Sequence, residues 1–145
     1  MSRSKTRIAY TLVDAGPLVA IIDKSLPEHA QIMTALSQLP RRPLLTTWPC
    51  LTEAMYLLHR DGGHVAQEAL WVYVEKGFLL LHDLSVDEQQ RMRALMAKYA
   101  DTPMDLADAS LIAVAESLGL RQVFTLDDDF YLYRLADGAI LEVIP

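Results

Sequence analysis

The sequence predicts a three-layer α/β/α fold around a mainly parallel central sheet. Two observations carry that prediction. Short apolar runs suited to buried strands alternate with longer segments whose apolar residues recur at helical spacing. Gly, Pro, Asp or Ser marks most of the switches between them. A third observation concerns function: acidic residues recur at strand ends and helix starts, where a parallel sheet would gather them.

The first apolar run, Ile8 to Val13, reads as a buried strand closed by Asp14. Gly16-Pro17 marks a turn into a helix over Leu18 to Asp23. Pro27 opens a second helix with Ile32, Met33, Leu36 and Leu39 at helical spacing. Pro40 and Pro43 bracket a loop holding Arg41 and Arg42, and Leu44 to Thr47 is a short strand. Thr47 is a candidate N-cap for a helix from Trp48 to His59, with Pro49 in its first turn. Asp61-Gly62-Gly63 stops that helix, and another runs from His64 to Lys76, ended by Gly77.

Phe78 to Leu81 forms the next strand. Ser85 and Glu88 stand at capping-box spacing before a helix to about Tyr99. Asp105 opens a helix to Leu118, ended by Gly119. Gln122 to Leu126 is a strand, and Ala139 to Ile144 is the last. Right-handed crossovers put every strand-to-helix loop at the carboxyl edge of such a sheet, where ligands bind near the switch in strand order.

The 145 residues suit one domain, taken as residues 1–145, and 52% hydrophobic content supplies a core. No repeat or low-complexity linker divides them. Thirteen Lys and Arg against nineteen Asp and Glu give a net charge of −6, which argues against nucleic-acid binding by bulk charge. A local basic patch is compatible with it. Cys50 is the one cysteine, so no internal disulfide forms; its apolar neighbours mark it as core, and a reduced, cytoplasmic setting follows. The basic N-terminus lacks a following signal-type apolar stretch, and no run reaches a membrane span, so no membrane association is expected.

Each acid has a plain structural explanation when taken alone. Asp14 suits a turn before Gly16-Pro17. Glu53 suits the start of a helix, Asp105 suits an N-cap, and Asp127-Asp128-Asp129 suits a solvated turn. Taken together they point elsewhere. Strand order collects Asp14, Glu53, Asp108 and Asp127 on one edge, and Asp108 adjoins the buried stripe of its helix. Buried carboxylates need a cation or hydrogen-bond donors. Hard oxygen ligands suit Mg2+ or Mn2+, and the four scattered histidines offer no zinc spacing. A divalent ion held this way activates water and neutralises a scissile phosphate. No phosphate-binding Gly-rich loop competes with that reading. A haloacid-dehalogenase-like phosphatase needs a second Asp two residues after the first, and position 16 is Gly.

Leu12-Val13-Asp14-Ala15-Gly16-Pro17-Leu18, the stretch Pro103-Met104-Asp105-Leu106-Ala107-Asp108-Ala109-Ser110-Leu111-Ile112-Ala113, then Thr125-Leu126-Asp127 and Asp129-Phe130 resemble a PIN domain. Within that family they resemble the VapC-type toxins of bacterial toxin–antitoxin pairs. The resemblance covers nearly the whole chain. It implies a PIN-like nuclease fold and a metal-dependent endoribonuclease with catalytic acids Asp14, Glu53, Asp108 and Asp127. Asp14 and Asp108 would hold the metal, Mg2+ or Mn2+. Asp105, Thr125 and Asp129 take secondary positions around them. Ala15 departs from the pattern, since many relatives carry Ser or Thr there; Thr125 is the candidate source of a hydroxyl.

RNA-contact candidates are Arg41, Arg42, Trp48 and Arg60, with His59, Arg91, Arg93 and Arg134 as further cations. Expected partners are an RNA substrate, a cognate antitoxin and a second copy of the chain in a homodimer. The helices at Pro27 to Leu39 and Trp48 to His59 are the candidate partner surfaces. Two rival readings remain: a PIN-type nuclease of RNA processing that is not a toxin, and a non-catalytic RNA- or protein-binding module.

Overall fold

A computed structural model describes residues 10–40 and 42–145. Five strands form one parallel sheet: β1 (Thr11–Val13), β2 (Leu44–Thr47), β3 (Leu79–His82), β4 (Gln122–Phe124) and β5 (Glu142–Ile144). Their order is β3-β2-β1-β4-β5, and every pairing is parallel. The chain leaves β1 towards β2 and later returns to lay β4 on its other side. The switch in strand order therefore falls at β1, and its crevice opens at the carboxyl ends of β1 and β4.

Among the described residues, five α-helices cover the two faces: α1 (Ala15–Ile22), α2 (His29–Gln38), α3 (Trp48–Glu75), α4 (Val86–Lys98) and α5 (Leu106–Leu118). Period-two alternation sorts the strand side chains between them. Val13, Leu44, Leu79 and Phe124 pack with α1, α2 and α3. Leu12, Leu45 and Val123 pack on the other side with α4 and α5. Residues 113–115 of α5 are buried all round, as befits a helix set between the sheet and neighbouring elements. No helix among the described residues is long and apolar enough to cross a membrane.

Several element bounds differ from the sequence expectation. The first strand and the last two are shorter, because pairing ends where the neighbouring strand ends; Ile8 and Ala9 lie outside the described residues. α1 starts at Ala15 rather than Leu18, because Asp14 caps it and Pro17 sits in the first turn, where no donor is needed. The expected break at Asp61-Gly62-Gly63 is present: Gly63 has φ 65° and ψ −160°, and α3 consists of two helical stretches joined across that kink. Thr47 precedes α3 but makes no capping bond; its hydroxyl pairs with Ser110 at 2.6 Å instead. The triple-Asp turn forms a one-turn 3-10 helix, Asp128–Tyr131. The Ser85–Glu88 capping box and the left-handed Gly119 after α5 stand where the sequence puts them.

Candidate metal centre

Asp14 is the first residue beyond the central strand. Its Oδ1 accepts from the Ala15 N–H at 2.8 Å, and its Oδ2 accepts from the Thr125 hydroxyl at 2.9 Å. It is 8% exposed. Burial raises its pKa, these two donors pull it back, and the charges of Asp127 and Asp105 add to the rise. Thr125 follows β4, and the same hydroxyl accepts from the Asp127 N–H at 3.0 Å. One side chain thus ties together the acids at the ends of two adjacent strands.

Asp108 comes from α5. It forms a capping box with Asp105: the Asp108 N–H donates to Asp105 Oδ1 at 2.8 Å, and the Asp105 N–H donates to Asp108 Oδ2 at 3.3 Å. Asp108 is 4% exposed. Its carboxyl is pushed up to about 8, first by burial and then by Asp105, with Asp14 and Asp127 adding to the effect against the Asp105 N–H. Asp127 caps the 3-10 turn, its Oδ1 accepting from the Asp129 N–H at 2.9 Å.

One oxygen from each of Asp14, Asp108 and Asp127 lies within 4.8 Å of the others. Among the described residues, no ion pair reaches any of these three; the Lys, Arg and His ion pairs all go elsewhere. Three carboxylates at that spacing repel one another, and a cation between them relieves the repulsion. An all-oxygen donor set fits a hard divalent ion such as Mg2+ or Mn2+.

Glu53 stands outside that tight group, exposed on α3, yet within its field. Partial burial, then the charges of Asp14, Asp105 and Asp127, raise its pKa. Asp105 is exposed and serves as the N-cap of α5. Asp129 contributes its N–H to the Asp127 turn.

The RNA-contact candidates are dispersed. Arg41 lies outside the described residues. Arg42 precedes β2 at the amino edge of the sheet, opposite the acids. Arg60 is on α3 and pairs with Asp61 at 2.9 Å. Arg91 pairs with Glu116, and Arg134 donates to the carbonyls of Tyr131 and Leu132. Trp48 sits at the carboxyl end of β2, on the acid edge, 45% exposed, its indole N–H donating to Asp83 at 3.1 Å.

Two residues of the site escaped the sequence reading. The buried Tyr133 hydroxyl donates to Asp108 Oδ2 at 3.2 Å. Cys50 is core, as its apolar neighbours imply, and its Sγ also lies 3.8 Å from Asp14 Oδ1. Burial and the Asp14 charge hold its thiol protonated. Tyr133 carries no periodic signal; only its place among the aromatics Phe130, Tyr131 and Tyr133, directly after the acidic turn, points to it.

Comparison with known proteins agrees with this architecture. Ribonuclease VapC26 of Mycobacterium tuberculosis (strain ATCC 25618 / H37Rv) is 24% identical over 135 residues, covering 92% of this chain and 99% of that protein. The crystal structure of Mycobacterium tuberculosis VapC20, described as a Sarcin-Ricin loop cleaving toxin, superposes with a TM-score of 0.79 at 19% identity. It covers 93% of this chain and 99% of its own. A toxin-antitoxin complex from Klebsiella pneumoniae superposes with a TM-score of 0.56 at 19% identity, covering 83% and 89%. These structural likenesses show the fold. The model of the PIN domain matches residues 11–136, which take in every acid of the cluster, and the chain belongs to the PIN domain family.

Proposed function

We propose that this protein is an endoribonuclease dependent on Mg2+ or Mn2+, and that it is the toxin of a toxin–antitoxin pair. The convergence of Asp14, Asp108 and Asp127 at the switch in strand order carries the reading. The ribonuclease and toxin descriptions of its relatives support it. Residues 1–145 act as one nuclease domain, in the cytoplasm, where RNA is at hand and a lone thiol stays reduced.

Asp14 and Asp108 hold the ion, and Asp127 completes the set. When bound, the ion supplies Lewis-acid chemistry at the scissile phosphate and offsets the negative charge of the cluster. The protein's own groups do the rest. Thr125 fixes the Asp14 oxygen and the Asp127 turn together. The raised Glu53 carboxyl, at the exposed rim, orients the attacking water and takes its proton. Exposed Trp48, fixed by Asp83, offers a stacking face for a base beside the cut. Asp14→Asn or Asp108→Asn abolishes Mn2+-dependent RNA cleavage while circular dichroism stays unchanged. Full cleavage by both variants, or undiminished cleavage in EDTA, overturns the reading.

The antitoxin inhibits by presenting a cation, best an Arg fork, to these carboxylates. Removing that Arg from the antitoxin restores cleavage; inhibition that survives its removal counts against the idea. A homodimer draws on the helices at Pro27 to Leu39 and Trp48 to His59, which leave Met33 and Tyr56 exposed. Sedimentation at micromolar concentration decides it, a monomer throughout excluding the dimer.

A further inference from the structure

We propose that Tyr133 is a positioning residue of the metal centre, one that selects which Asp108 oxygen faces Asp14 and Asp127. The inference rests on the metal-dependent reading above and adds a residue that no sequence motif marks.

The argument starts from how the two oxygens of Asp108 differ. Oδ2 accepts twice, from the Asp105 N–H at 3.3 Å and from the Tyr133 hydroxyl at 3.2 Å. Oδ1 accepts no hydrogen bond among the described residues. Yet no buried side-chain oxygen among them lacks a partner, so Oδ1 reaches solvent in the crevice. Oδ2 is tied to protein donors, and Oδ1 is left as the oxygen open to an ion. A ligand carboxylate anchored on one oxygen by outer donors presents the other in a fixed direction.

Tyr133 is itself held fast. It is 1% exposed. Its ring meets Phe130 edge-on at 5.4 Å and Tyr99 at 5.2 Å. Phe130 belongs to the 3-10 turn that Asp127 caps. The Tyr99 hydroxyl accepts from the Arg134 N–H at 2.8 Å, which pins the backbone next to Tyr133. The side chain therefore touches both sides of the centre: its hydroxyl contacts Asp108 on α5, and its ring contacts the turn after Asp127. A buried tyrosine needs some acceptor, and a backbone carbonyl would have met that need. Here the acceptor is a carboxylate of the cluster.

Tyr133→Phe tests this, since it deletes one oxygen and keeps the ring packing. Mn2+ binding is measured by calorimetry on the full chain, with melting temperature in EDTA alongside. The expected dissociation constant for Mn2+ rises about tenfold. Melting in EDTA changes little, because Asp108 Oδ2 keeps the Asp105 N–H. The cleavage rate at saturating Mn2+ returns to within about threefold of wild type, placing the defect in ion binding. Tyr133→Leu, which also removes the ring contacts, weakens Mn2+ binding further. Unchanged Mn2+ affinity in Tyr133→Phe, with or without a lower melting temperature, overturns the inference and leaves the metal reading standing. A wild-type protein that binds no Mn2+ overturns both.

Discussion

Two carboxylates in this molecule are buried to nearly the same depth and titrate in opposite directions. Asp108, 4% exposed, has its carboxyl pushed up to about 8. Glu88, 5% exposed, is held down to about 2. Burial raises both. What differs is the company. Glu88 accepts from the Ser117 hydroxyl at 2.5 Å and from the Ser85 N–H at 2.9 Å, and His82 Nε2 lies 2.8 Å away. These partners outweigh its burial. Asp108 has two neutral donors and three acidic neighbours. Glu88 is a finished hub that joins β3, α4 and α5. Asp108 belongs to a group that the protein's own side chains leave short of positive charge. Depth alone does not tell a structural acid from a functional one; the balance of donors and like charges does.

The sharpest way to break that comparison is to neutralise each acid in turn. Asp108→Asn lowers RNA cleavage by about a thousandfold or more, measured on a labelled oligonucleotide with Mn2+. Its melting temperature in EDTA at pH 8 rises, because a source of repulsion is gone. Glu88→Gln does the reverse. Cleavage at 25 °C stays within about twofold of wild type, while stability falls by about 2–3 kcal/mol. That corresponds to roughly 5–10 °C in melting temperature. A Glu88→Gln variant that is stable but inactive would remove the distinction.

The pH dependence separates the two acids by sign. Glu88 has a depressed folded pKa, so its contribution is present above the unfolded value near 4.5 and is lost as pH falls towards 2. Asp108 has a raised folded pKa, so its contribution is present below the unfolded value near 3.8 and is lost as pH rises towards 8. In EDTA, the Asp108 effect lowers melting temperature between pH 5 and pH 8. Added Mn2+ raises the melting temperature more at pH 8 than at pH 5.5, because it binds the ionised cluster. Equal shifts at both values would argue against ion binding at these acids.

The smallest effect is expected at Thr125. Thr125→Val removes the donor to Asp14 and the acceptor for the Asp127 N–H while keeping the shape. Mn2+ affinity falls about threefold to tenfold, and stability falls by about 1 kcal/mol. Calorimetry and denaturant unfolding read the two separately.

Local signals were legible in the sequence where the chemistry is local. Ser85 with Glu88, Asp105 before α5 and Gly119 after it involve residues within one turn of a helix end. The four-residue strand β2 was also readable, because its apolar run is bounded by Pro43 and by the start of α3. Asp14, Asp108 and Asp127 could be gathered on one edge because βαβ handedness fixes that edge. Contacts between distant segments were not legible. Glu88 reads as a capping residue, and nothing nearby reveals Ser117, 29 positions away. The Thr47 hydroxyl forgoes its cap for Ser110, 63 positions away. Tyr133 is visible only once the turn after β4 is folded against α5.

The strand order carries a consequence for how the protein is made. β1 lies in the middle of the sheet, yet its neighbour β4 is synthesised some 110 residues later, as the Thr125–Asp14 bond shows with its separation of 111. A growing chain displays Asp14 and Glu53 long before Asp108 and Asp127 exist. Closing so long a loop is a late event in folding. A nascent or prematurely ended chain therefore lacks an assembled centre, and the acids meet only after the C-terminal third has emerged and docked.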